Sequence, residues 1–134
     1  MIDQQSALVY TMVLASAADS DMTDAEVGMI DAIVRHLPVF EGYNADNLHK
    51  TAGACVDLLS QADGLDDVLD AIRDTLPERL RETAYALACD IVAADGEASQ
   101  EELRLLEMLR HRLDVERLEA AAIERGARAR FARA

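Results

Sequence analysis

The sequence predicts an all-α protein of about seven helices arranged as a pseudo-twofold bundle. Three observations carry that expectation. Apolar residues recur at helical spacing along nearly the whole chain, and no segment alternates with period two over a useful length. Aliphatic residues and alanine dominate, aromatics make up 4% and Trp is absent, which suits helices packed through Leu, Ile, Val, Met and Ala better than a β-sandwich. Finally, Ala17-Ala18-Asp19-Ser20-Asp21-Met22-Thr23-Asp24-Ala25-Glu26-Val27 returns 76 residues later as Ala93-Ala94-Asp95-Gly96-Glu97-Ala98-Ser99-Gln100-Glu101-Glu102-Leu103.

The first helix is read over 4–18, with Leu8, Met12 and Ala15 on one side and Val9 and Val13 beside them. Residues 24–37 follow as the second helix through Val27, Ile30, Ile33, Val34 and Leu37, ended by Pro38 and Gly42. The third runs from about Ala45 to Ala62, with Leu48, Ala52, Cys55, Leu59 and Ala62 inward, and Asp63-Gly64 breaks it. Leu65, Val68, Leu69 and Ile72 mark the fourth helix, over about 65–75. Pro77 suits the first turn of a fifth, where its missing N–H leaves no bond unmade, and Leu80, Ala84, Leu87, Ala88 and Ile91 carry that helix to Ala94. The sixth covers 100–113 through Leu103, Leu106, Leu109 and Leu113. Asp114 is expected to cap a seventh, over about 115–131. The pair 1–2 thus matches the pair 5–6, with repeat halves of approximately 5–37 and 81–113. Residues 1–134 are expected to form one domain, a length sufficient for a real core.

The formal net charge is −13. Clustered Lys and Arg, which phosphate binding requires, are scarce, so no nucleic-acid partner is expected. Residues 1–76 hold 14 acids against three bases, whereas residues 77–134 hold 12 acids and 10 bases. The stretch 125–134 carries four arginines and no acid, a helix end favoured by the dipole or a basic contact for an acidic partner. Cys55 and Cys89, outside any Cys-x-x-Cys pairing, read as buried thiols of a reducing compartment. With no signal peptide and no apolar run of ~18 residues, a cytoplasmic protein without membrane insertion is expected.

The repeated loops hold the chemistry. Thr23 with Glu26, and Ser99 with Glu102, have the spacing of a capping box, in which hydroxyl and carboxylate satisfy N–H groups at a helix start. Capping explains Asp19, Asp21, Asp95 and Glu97 less well, because acids before a helix gain only ~0.3–1 kcal/mol from its dipole. Two carboxylates about 4 Å apart repel by ~4 kcal/mol at an effective dielectric of 20. If the bundle brings the loops together, a divalent cation relieves that repulsion, and an all-oxygen set suits Ca²⁺, Mg²⁺ or Mn²⁺. The metal-ligating set is then Asp19, Asp21, Glu26, Asp95, Glu97 and Glu102. An EF-hand does not fit: counting from Asp19, Asp24 stands at the glycine position and Ile30 at the bidentate glutamate position. The alternative reading makes the chain a helical protein–protein interaction module whose loops only cap helices. No catalysis is expected, since a phosphate-binding glycine loop is absent and His36, His49 and His111 stand in no nucleophile–base arrangement.

The helix end followed by Ala-Ala-Asp-Gly-Glu-x-Ser-x-x-Glu-Leu at 93–103, with its degenerate echo at 17–27, resembles the TerB-like tellurite-resistance family, and also the N-terminal domain of DjlA-type co-chaperones. The likeness covers roughly residues 5–125. It implies an all-α fold of two repeated helical units, a non-enzymatic role in tellurite resistance and stress response, and a protein partner at the inner membrane face. Metal binding by the acidic loops is implied at Asp95, Glu97 and Glu102, echoed by Asp19, Asp21 and Glu26. The first copy departs from the pattern at Ser20, in place of glycine, and at Ala25, in place of an acid.

Overall fold

A computed structural model describes residues 2–17, 22–94 and 96–134. Among them are seven α-helices and no strand: α1 (Gln4–Ala17), α2 (Asp24–His36), α3 (Leu48–Leu59), α4 (Gly64–Thr75), α5 (Glu78–Ala94), α6 (Gln100–Arg112) and α7 (Arg117–Arg130). Two single 3₁₀ turns, Pro38–Phe40 and Ala45–Asn47, join α2 to α3. The second takes the first residues of the helix expected from Ala45, so that the α-helix proper begins at Leu48. Asn44 sets that turn by accepting from the Asp46 N–H at 2.9 Å.

α1 is the central element. Its residues from Ala7 to Ser16 are all buried, where the spacing predicted one buried side. The run is apolar around its whole circumference, the pattern of a helix enclosed by others. Thr11 sits in it because its hydroxyl donates to the Ala7 carbonyl at 2.9 Å. Helices α3, α4, α5 and α6 pack around α1, and α7 packs on α5. The apolar cluster that results joins side chains of all seven helices. Tyr85 bonds Glu124 and Asp90 pairs with Arg130, so α5 and α7 run parallel, 39 to 40 residues apart in register.

α2 is peripheral. Ile30 and Val34 are buried, but Val27 and Leu37 are 43% and 38% exposed. The corresponding positions of α6 agree at its start, where Leu103 is 50% exposed, and differ at its end, where Leu113 is 1% exposed. The difference follows from what comes next. Leu37 leads into the 3₁₀ turn at Pro38, whereas Leu113 is folded inward by a tight reversal.

That reversal corrects the role expected of Asp114. It does not cap α7, whose N-cap is Glu116. Asp114 has φ 54° and ends α6 in a Schellman turn: the Val115 N–H donates to the Arg110 carbonyl at 3.0 Å and the Asp114 N–H to the His111 carbonyl at 3.2 Å. Aspartate tolerates the left-handed conformation better than most residues, and the Asp114 carboxylate lies 3.1 Å from Arg73. Arg112 extends the same junction to α4 through Asp66 at 3.1 Å and Asp70 at 2.5 Å.

Candidate functional site

The two capping boxes are formed as the spacing predicts. Thr23 Oγ1 accepts from the Glu26 N–H at 3.1 Å, and Glu26 Oε1 accepts from the Thr23 N–H at 2.9 Å. Ser99 Oγ accepts from the Glu102 N–H at 3.1 Å, and Glu102 Oε1 accepts from the Ser99 N–H at 2.8 Å. Both N-caps have extended backbone, with ψ 162° and 165°. Glu26 and Glu102 are only 8% and 2% exposed, each with its carboxylate against a helix N-terminus. Capping engages Oε1 of each of these two glutamates.

Of the other four predicted ligands, Asp19, Asp21 and Asp95 lie outside the described residues. Glu97 is exposed and follows Gly96, whose φ of 93° is a conformation open to glycine. Its side chain is in no ion pair among the described residues. Among those residues no group of three or more His, Cys, Asp and Glu side chains is arranged to hold a metal ion. Ala17, from which the first loop departs, and Gln100 and Glu101, at which the second arrives, line one hollow of about 440 Å³ with Leu14, Leu105 and Met108.

A larger trough, of about 1060 Å³, lies between α5, α6 and α7. Tyr85, Cys89 and Val92 of α5 form its floor, and the second acidic loop reaches its end through Gly96 and Glu97. The Tyr85 hydroxyl donates to Glu124 Oε2 at 2.6 Å. Burial, and then the Glu124 carboxylate, raise the pKa of this tyrosine. Burial likewise pushes the Cys89 thiol up to about 12. Both groups therefore stay protonated at neutral pH, and the thiol is a poor nucleophile. Sequence reasoning did not pair Tyr85 with Glu124, because 39 residues separate them and no helical or loop spacing links them. The signal available was the mixed polar and apolar register of the seventh helix, whose inward face carries Glu124 between apolar positions.

His36, His49 and His111 are exposed. None of the described helices is long and apolar enough to cross a membrane. No match was found among the curated proteins or among the solved structures. The family model for tellurite resistance protein TerB matches residues 5–125, nearly the whole chain. The all-helical fold, the two capped loops and that match agree: the chain belongs to the TerB tellurite-resistance family.

Proposed function

We propose that this TerB-family chain is a non-enzymatic stress-response protein of tellurite resistance that binds a divalent cation, Ca²⁺, Mg²⁺ or Mn²⁺, between its two acidic loops. The observation that carries the reading is the shared hollow: Ala17 and Gln100, which flank the first and second loop, line the same small cavity. In this reading the two loops meet beside that cavity, and a cation relieves the mutual repulsion of their carboxylates. Asp19, Asp21, Asp95 and Glu97 are then the principal ligands, and Glu26 and Glu102 complete the set while holding the loops to their helices through Oε1. The repeated hairpins, approximately 5–37 and 81–113, are then related by a pseudo-twofold axis that brings both loops to one end of the bundle. The protein acts in the cytoplasm with a protein partner at the inner membrane face, as the family resemblance implies.

Thermal unfolding of chelator-treated protein tests this. A cation that binds only the folded state stabilises it by RT ln(1 + [L]/Kd), about 2.7 kcal/mol at a hundredfold excess over Kd. Millimolar Ca²⁺, Mg²⁺ or Mn²⁺ is expected to raise the melting temperature, and the shift is expected to vanish in the Asp95→Ala/Glu97→Ala variant. An unchanged melting temperature with all three cations leaves the loops as caps and the chain as a helical interaction module. One observation favours that second reading on its own account: the trough between α5, α6 and α7.

A further inference from the structure

We propose that this trough docks an amphipathic helix of a partner protein, one that carries acidic residues along the edge of its apolar stripe. The proposal goes beyond cation binding and rests on none of it.

The trough has the form of a vacant helix position in the bundle. α6 and α7 both pack on α5 but make few contacts with each other. Leu103, Leu106, Glu107 and Arg110 line one wall, and Glu124, Ala127, Arg128 and Phe131 line the other. Each set follows i, i+3, i+4, i+7, so each wall is one continuous face of its helix. Leu103 is 50% exposed in that wall, a large apolar side chain left without a cover. A groove with an apolar floor between two helical ridges suits an amphipathic helix, which inserts its own i, i+3, i+4, i+7 stripe. The helical part of that wall, Glu124 to Arg130, spans seven residues, about 10 Å at ~1.5 Å per residue, so about two turns of a partner lie against it.

Charge selects the occupant. The α7 side is basic in a chain of net charge −13. Arg130 is taken by Asp90, but Arg128 and Arg133 are exposed and pair with no acid among the described residues. The one acid of that wall, Glu124, accepts from Tyr85. On the α6 side Glu107 stands one turn before Arg110, so that wall is mixed. An incoming helix therefore meets uncompensated positive charge along one edge only, and carboxylates on that edge fix both its identity and its orientation. This is the use the structure offers for the arginine-rich segment 125–134.

The test uses two designed 14-residue helical peptides with the same leucine stripe, one edged with Glu and the other with Lys, titrated into the full chain by fluorescence anisotropy and by amide chemical shifts. The acidic peptide is expected to bind at least tenfold more tightly than the basic one. Its shifts should centre on Leu103, Leu106, Ala127 and Phe131. The exposed double variant Arg128→Glu/Arg133→Glu should weaken it at least tenfold and favour the basic peptide, while Leu103→Asp should weaken both. Circular dichroism melts check that these variants stay folded. Equal binding of the two peptides, shifts centred elsewhere, or no binding at millimolar peptide overturns the proposal. So does binding of dodecanoate in the trough where the acidic peptide fails, which makes it a pocket for a small amphipathic anion.

Discussion

A methyl group added at Gly64 would stand 2.5 Å from the carbonyl oxygens of Leu58 and Leu59. The turn from α3 into α4 is that tight because the Gly64 N–H bonds the Gln61 carbonyl at 3.0 Å. Gly28 and Gly53, in the exposed faces of α2 and α3, have nothing within 4 Å of the same position. Gly64→Ala is therefore expected to destabilise by about 1–3 kcal/mol through overpacking. Gly28→Ala and Gly53→Ala are expected to stabilise by about 0.5–1 kcal/mol each, since alanine loses less backbone entropy in a helix. Urea unfolding of the three variants checks both signs. The thiols give a pH dependence. Burial pushes Cys55 and Cys89 up to about 12 from an ordinary 9.0. The unfolded chain then releases protons above about pH 9 that the folded chain retains. These two groups leave stability unaffected below pH 9 and lower it between about pH 9 and 12, each by about 1.4 kcal/mol per pH unit. Stability measured against pH in Cys55→Ala/Cys89→Ala should lose that part of the alkaline slope. Residue-scale legibility followed locality. The capping boxes were readable because every partner lies within three residues. The Schellman turn at Asp114 was not, because aspartate before a helix and aspartate after one look alike until the chain direction is known.

Helices differ in how firmly they are held. α1 is enclosed on all sides, while α2 is anchored chiefly by Ile30 and Val34. Few buried contacts mean a low free energy of local opening. Native-state hydrogen exchange should accordingly show α2 amides opening well before those of α1, α5 and α6. Removal of a cap should cost about 1 kcal/mol at either end of the repeat, by Thr23→Ala or Ser99→Ala. In Thr23→Ala the faster exchange should stay within α2. In Ser99→Ala it should not stay within α6, which is tied to α4 by Arg112 and to the core by Leu109 and Leu113. Helix positions were legible because apolar spacing states which side is buried. How deeply each helix lies was not, as Val27 and Leu37 fit the same spacing as Ile30 and remain half exposed. Depth depends on neighbours that the spacing does not name.

At the scale of the molecule, the acidic first half and the arginine-bearing end of α7 place opposite charge on different parts of one bundle. The loops were legible as a repeat, and the fold class followed from periodicity and composition. The trough was not, because its floor and two walls come from segments 85–93, 103–110 and 124–133, which only packing brings together. The two proposed roles rest on separate features: cation binding on the loops, and partner binding on the α5–α6–α7 trough, which the second loop borders at Glu97. Cation binding by the loops is tested by a calorimetric titration of chelator-treated protein with Ca²⁺, Mg²⁺ and Mn²⁺, wild type beside Asp95→Ala. A saturable heat is expected with at least one of these cations, of whole-number stoichiometry, that is lost or weakened at least tenfold in the variant. Absence of heat with all three, or an isotherm identical in Asp95→Ala, would contradict it.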